Sequence, residues 1–375
     1  MEEALKTFGL ELNSCRIQLI GNGLINDTWK VEVFSSDNIE NLLNTFVCQR
    51  INHNVFKNPD IIDNNINHIS AYLQEYDPSY IFTSTIPNVY GKTLVYIPEH
   101  GYYRLFHYIP DSITYDTIDN SDLANEAAKQ FGLFTAKLND FPIEKLKDTI
   151  SDFHNLPLRY HTLLNTIHNT SNTERYFKAK NVIDIIMKYK DIVSVYEETI
   201  MNNPDFRRRV THHDTKISNV LFDQNNKGIC VIDLDTVMPG YFISDLGDMF
   251  RTYLCADSEE SIVELCTYTD TTSTTLYRIR LNYFQAIVTG YLESMYHILT
   301  SIEKTHILYA GKYIIYMQAI RFLEDYLNND SYYKVNHSEN NLNRAINQLR
   351  LLEEYIYLTP ILNNIIEGII QSKMG

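Results

Sequence analysis

Between Thr211 and Thr236 the chain reads THHDTKISNVLFDQNNKGICVIDLDT. Two short apolar runs, Val220–Phe222 and Ile229–Ile232, flank a polar turn at Asn225–Gly228. Asn and Gly tolerate the positive φ angles of tight turns, so this pattern predicts a β-hairpin. A hairpin here constrains more than its own strands. It draws Asn219 and Asp233 together at its open end and hangs Asp214 from the loop just before it.

A chain of 375 residues can bury a large core and is expected to hold about two domains. The net charge of −15 argues against nucleic acid as the main partner. Cys15, Cys48, Cys230, Cys255 and Cys266 are scattered without C-x-x-C spacing, which fits a reducing compartment better than a disulfide frame or a zinc site. The start, MEEALKTFGLEL, lacks the apolar run of a signal peptide, and no run of 18 apolar residues occurs. The expectation is a cytoplasmic protein with no membrane span, no nucleic acid and no obligate protein partner.

Periodicity changes once along the chain. Residues 2–12 read as a short helix, and Ile17–Ile20, Trp29–Phe34 and Thr45–Ile51 as strands. Pro59–Tyr76 carries a helical apolar stripe. Thr93–Pro98 and Tyr102–Ile109 flank EHG as a second hairpin, whose last strand runs into the linker HYIPDS, residues 107–112. Beyond it the spacing is helical. Ser121 reads as the N-cap of a helix reaching Leu138. Further helices are expected over 160–168, 174–202, 258–269, 276–300, 307–327, 341–358 and 360–372. Arg207–Arg209 reads as a solvated charge cluster, and Asp245 as a residue that caps or opens a helix. Asp248 and Arg251, three apart, are expected to pair and to brace the loop of the histidine pair from beneath. The fold class is therefore α+β: a small antiparallel β lobe with one helix, 1–108, then a large, mainly helical lobe, 109–375.

The set H-x-D-x-K-x-x-N with a later acid resembles the protein-kinase pattern, in which an Asp base precedes an Asn ligand by five residues and a second Asp binds metal. Phosphoryl transfer asks a protein mainly to orient a hydroxyl and hold phosphates. On that pattern Asp214 is the candidate base, Asn219 and Asp233 the ligands of Mg²⁺, and Lys216 a contact to the transferred group. Gly21 and Gly23, in GNGLINDT, would let backbone amides approach the phosphates of ATP. Kinases carry a lysine on the third strand; here Gln49 and Arg50 stand there on opposite faces, Arg50 being the available cation and Gln49 the alternative residue to face the nucleotide. His107, Tyr108 and Ile109 are candidates for the backbone that pairs with adenine.

HHDTKISN, VIDLDTVMPG and DLGDMFR together resemble the aminoglycoside-phosphotransferase/choline-kinase group of small-molecule kinases, which shares the two-lobed protein-kinase-like fold. More narrowly, GNGLINDTW, CQRINHNVFKNP, DFHNLPLRY, HHDTKISNVLFD, IDLDTVMPG and IRFLEDYLNNDSYY follow one another as in the N-acetylhexosamine 1-kinases of bacterial sugar salvage. The resemblance implies that Asp214 takes the proton of a sugar's anomeric hydroxyl, that Arg321 and Tyr332 bind the sugar alongside Asp214, and that ATP and Mg²⁺ are required. Two alternatives stand beside it. One is a kinase of choline, an aminoglycoside or an amino sugar; the other is a nucleotide-binding pseudokinase, suggested by the missing third-strand lysine.

Overall fold

The computed structural model of the chain describes residues 1–20, 25–35, 38–263 and 278–374. Gly21 and Gly23 lie outside the described residues, as do Cys266 and the second half of the helix expected over 258–269. Internal contacts divide the chain into two units. The first comprises Met1–Thr114, Lys137–Ser151 and Asn219–Pro239; the second comprises Tyr115–Ala136, Asp152–Ser218 and Gly240–Gly375.

The first unit is built on an antiparallel sheet of five strands. They are β1 (Cys15–Leu19), β2 (Asp27–Ser35), β3 (Asn38–Ile51), β4 (Val95–Ile97) and β5 (Gly101–His107), in spatial order β1-β2-β3-β5-β4. Helix α1 (Glu2–Thr7) sets Ala4 and Leu5 against Val31, Cys48, Tyr103 and Leu105, all buried, so alternate positions of three strands make one apolar face. Helix α2 (Pro59–Tyr76) begins and ends where its apolar stripe does. Pro59 sits at the start, where a missing N–H costs nothing, and Ile62, Ile66, Ile69 and Leu73 are buried at spacings of four and three. Burying each such side chain contributes about 2 kcal/mol. Strand β3 begins seven residues before the expected Thr45. Residues 40–44 are exposed there, so they carry no alternation of burial, and a register shift near Phe34 absorbs the mismatch with β2.

The predicted hairpin is present as β6 (Val220–Phe222) and β7 (Gly228–Val231), paired Val220 to Val231 and Leu221 to Cys230. Its turn is locked by Asp223, whose carboxylate accepts N–H bonds from Asn225 and Lys227, each at 2.8 Å, while Asn226 takes a φ of 63°.

The second unit is helical: α3 (Ser121–Lys137), α4 (Leu156–Asn169), α5 (Thr173–Lys188), α6 (Phe242–Tyr253), α7 (Leu281–Met295), α8 (Ile307–Leu327), α9 (Asn340–Tyr357) and α10 (Thr359–Met374). Helix α8 is buried along nearly its whole length. Gly247 of α6 lies against the Ala310 carbonyl, where a Cβ would collide. Among the described residues no helix is long and apolar enough to cross a membrane.

Several expectations need correction. Ser121 does not cap α3; Asn120 does, its side chain accepting the Leu123 N–H at 2.9 Å. The helix expected over 174–202 stops at Lys188 and resumes in two short turns from Asp191. Residues 258–263 are not helical, because Asn347 donates to the carbonyls of Ser258 and Ser261 at 3.2 and 3.1 Å and so satisfies them without a helical ladder. Arg209 is no solvated charge: it is buried against Glu303, with Nη1–Oε1 at 2.6 Å and Nη2–Oε2 at 3.0 Å. Glu303 also caps its own helix, accepting the Thr300 N–H at 2.8 Å.

Removing one partner of a buried bidentate pair strands the other charge, at a cost of about 3 kcal/mol or more. Glu303→Gln should therefore lower the stability of the protein by that amount in urea unfolding, whereas the exposed Arg207→Ala should change it by less than about 0.5 kcal/mol. Equal effects of the two would remove the Arg209–Glu303 pair as an anchor.

Candidate active site

In the first unit, Asn219 and Asp233 are brought together by the hairpin. The Ile232 N–H donates to the Asn219 carbonyl at 2.9 Å, extending the β6–β7 ladder to its open end. Asn219 is buried and Asp233 exposed. Asp233 adopts φ 60° and ψ 63°, the left-handed region, and a buried turn of Leu234–Thr236 follows. Among the described residues no group of three or more His, Cys, Asp and Glu forms a metal cage.

Arg50 is spent on Asp27, its Nε donating to the carboxylate at 2.8 Å. Gln49 accepts from Arg104 of β5 through Nε at 3.1 Å and Nη2 at 2.8 Å. Arg104 is the cation buried in this sheet, and it pairs with Asp235 at 2.5 Å. Spacing within the third strand gives no sign of it, because it stands on β5. At the end of β5, the Tyr108 N–H donates to the Thr45 carbonyl at 3.1 Å, and the Ile109 carbonyl accepts from Ser112 Oγ at 2.6 Å. His107 is exposed, its ring 5.6 Å from that of Phe46.

In the second unit, the histidine-pair loop hangs on helix α6. The backbone N–H groups of His212 and His213 donate to Asp245 at 3.0 and 2.7 Å, and that of Thr215 to Asp248 at 2.8 Å. Tyr253 Oη donates to the Thr215 carbonyl at 2.5 Å. Arg251 donates to Asp248 through Nε at 3.0 Å, so the expected brace is present. Asp245 belongs to the same brace rather than to a helix cap, lying inside α6 with its carboxylate on the loop. His213 takes a φ of 68°, and Gly240 makes room for its ring, since a Cβ there would collide with it. On its other side His213 Nδ1 is 2.8 Å from Ser244 Oγ and 3.2 Å from His154 Nδ1.

The loop presents Asp214 and Lys216, Nζ–Oδ1 at 3.0 Å, with a quarter of the Asp214 side chain exposed. Burial pushes the Asp214 carboxyl up, but the Lys216 ammonium, then His212 and Arg251, outweigh it and hold the acid below its usual range. Asp214 is therefore an anion at neutral pH, the form a base needs. Burial drives Asp245 the other way, to about 7, against the two N–H donors.

The structure also brings Arg321 and Tyr332 together. The Arg321 guanidinium lies 5.3 Å from the Phe153 ring centroid, 5.9 Å from Tyr332 and 5.6 Å from Tyr333. Asp325 holds the two tyrosines in place, accepting their backbone N–H groups at 2.8 and 2.9 Å. Arg321 donates to Gln318 at 3.2 Å and forms no ion pair with a carboxylate among the described residues. Phe153 stacks on His154, ring centroids 4.3 Å apart. His154 is kept neutral by burial and by His213, Arg321, Arg251 and Arg159 around it.

The model of the phosphotransferase enzyme family matches residues 16–267. Among solved structures, the chain is similar to a microcompartment-associated aminopropanol kinase (13% identity, TM-score 0.62, 95% of this chain and 96% of that one). It is similar to a spectinomycin phosphotransferase solved with ADP and spectinomycin (14%, 0.55, 98% and 95%). It is also similar to a choline kinase from Cryptosporidium parvum (15%, 0.52, 97% and 97%). At such identities the likeness speaks for the fold, the protein-kinase-like arrangement of an antiparallel sheet followed by a mainly helical part that the sequence led us to expect.

The raised acid of Asp245 has a measurable sign. Its folded value of about 7 lies above the ordinary 3.8, so between these limits the native state keeps a proton that the unfolded chain has released. Stability contributed by this group is full below the lower limit and is lost as the pH rises to about 7, with a slope on the order of 1 kcal/mol per pH unit. Urea unfolding between those limits should show that slope in the wild type and a flatter one in Asp245→Asn. Identical slopes would mean that the backbone donors win and the carboxyl is ionised throughout.

Proposed function

Because the chain belongs to the phosphotransferase enzyme family, we propose that it transfers the terminal phosphoryl group of ATP to the anomeric hydroxyl of an N-acetylhexosamine. Asp214 accepts the hydroxyl proton while the sugar oxygen bonds to the γ-phosphorus. The bond from that phosphorus to the β–γ bridging oxygen breaks, and ADP leaves with the bond's electron pair. Lys216 keeps Asp214 anionic and offers its ammonium to the phosphoryl oxygens. Asn219 and Asp233 hold Mg²⁺, which when bound offsets negative charge on the phosphates.

The acceptor class rests on Arg321. Its guanidinium occupies the faces of three aromatic rings and forms no ion pair with a carboxylate among the described residues. A choline or aminoglycoside cation favours aromatic faces and acids. Here an internal cation already takes those faces, so the group suits a neutral acceptor rich in hydroxyl and amide oxygens. Tyr332, 63% exposed beside Arg321, is available to the sugar ring.

Coupled detection of ADP with N-acetylglucosamine and N-acetylgalactosamine tests the acceptor; turnover of choline or an aminoglycoside with none of either sugar would overturn it. Asp214→Asn should reduce kcat by about 10³-fold or more with little change in nucleotide affinity. Arg321→Ala should act on sugar KM instead, by about 30-fold, the loss of one charged hydrogen bond of roughly 2 kcal/mol. A variant that lost kcat and kept KM would place Arg321 outside the acceptor subsite.

A further inference from the structure

Arg104 is 1% exposed, and a buried guanidinium is stable only when its donors are met. Gln49 Oε1 accepts from Nε and Nη2, and Asp235 Oδ1 lies 2.5 Å from Nη2 as an ion-pair partner rather than a hydrogen-bond acceptor. The other oxygen of Asp235 accepts Asn26 Nδ2 at 2.6 Å, and the Asn26 side-chain carbonyl in turn accepts the Asn52 N–H at 2.9 Å. Gln49 is fixed by donating Nε2 to Thr28 Oγ1 at 3.2 Å. Asp235 is thus clamped by residues on or beside β2, β3 and β5, and its side chain is only 3% exposed. Nη1 of Arg104 has no hydrogen-bond partner among the described residues. This is more burial and more polar connection than a solvated acid at a strand end needs.

The candidate metal ligand Asp233 stands two residues before Asp235, in the left-handed region at φ 60°. Aspartate enters this region at modest cost, as Asp111, Asp152 and Asp330 also do, so the surroundings select this turn among the accessible ones. Two anchors do so here. Upstream, the Ile232 N–H is held by the Asn219 carbonyl. Downstream, the Asp235 side chain is held by Arg104 and Asn26, and the Val237 carbonyl accepts Asn65 Nδ2 of α2 at 3.0 Å. We propose that Arg104 is a positioning residue: by clamping Asp235 it fixes the left-handed turn that aims the Asp233 carboxylate at the metal–nucleotide complex. The sheet register sets Arg104 opposite Gln49, so β5 provides the interior cation at the place where β3 carries an amide. The proposal rests on the nucleotide–metal reading given above, and not on which acceptor is used.

Calorimetric titration with AMP-PNP, with and without Mg²⁺, tests it without turnover. Arg104→Met should weaken binding of the Mg²⁺ complex at least tenfold and leave binding of metal-free AMP-PNP unchanged; Arg104→Lys should recover part of the loss. Should Arg104→Met fail to fold, Gln49→Met decides: it keeps the ion pair but frees one edge of the guanidinium, and should weaken the Mg²⁺ complex about threefold. A folded Arg104→Met with wild-type affinity for the Mg²⁺ complex, equal losses with and without metal, or an unaffected Gln49→Met would overturn the positioning role. A wild type that does not bind Mg²⁺·AMP-PNP at all would overturn the nucleotide–metal reading, and this proposal with it.

Discussion

Two carboxylates on one turn of helix α6 hold the loop from which the candidate base hangs. Asp245 accepts the His212 and His213 N–H groups, and Asp248 accepts that of Thr215. A short polar loop in a buried setting has no ladder of its own to satisfy its N–H groups, so side chains must supply the acceptors. Supplying them from a helix has a second effect: residues three apart on α6 face the same side, so the two acceptors form a rigid pair. His213 takes a positive φ in consequence, and Gly240 is needed because the displaced ring occupies the space of a Cβ.

The first unit solves the same problem by the same means. Asp233, like His213, is a side-chain-bearing residue in the left-handed region, and a buried acid near it in sequence is tied down by partners far away in sequence. In each unit a residue at positive φ lies beside a candidate site residue or is itself one. Both are held by buried carboxylates rather than by apolar packing alone. Apolar packing fixes a chain to within the slack of its side chains, whereas a carboxylate with two partners fixes distance and direction together.

That difference also explains what could be read from the sequence. Helices α2 and α8 were legible to the residue because an apolar stripe and its limits are local properties. The hairpin was legible because its turn chemistry is local as well. Asp214, Asn219 and Asp233 stood out through spacing. Arg104 and Asp235 did not, because a buried ion pair between residues 131 apart leaves no periodicity. Arg209 looked like one of three surface cations for the same reason, its partner Glu303 lying 94 residues on. The non-helical 258–263 leaves no local sign, because the Asn347 side chain, far along the chain, overrides local propensity. The role of Asp245 in DLGD is not legible locally, since a helix-initiating acid and a loop-bracing one have the same local sequence.

The electrostatics of the acceptor group follow from similar reasoning. A chain of net charge −15 would seem suited to cationic acceptors, but mean charge governs long-range attraction and is screened within about 10 Å at ordinary salt. At contact distance the nearest groups decide. Around Arg321 these are aromatic faces and an amide; the Glu324 carboxyl feels the charges of Arg159 and Arg321 without forming an ion pair, and buried Asp325 is engaged by the backbone of Tyr332 and Tyr333. An acid so engaged cannot also neutralise an incoming cation, and Arg321 would repel one. The same commitment of Asp325 keeps both rings beside the guanidinium, so under the proposed function one acid both leaves the charge of Arg321 uncompensated and builds the surface offered to the acceptor.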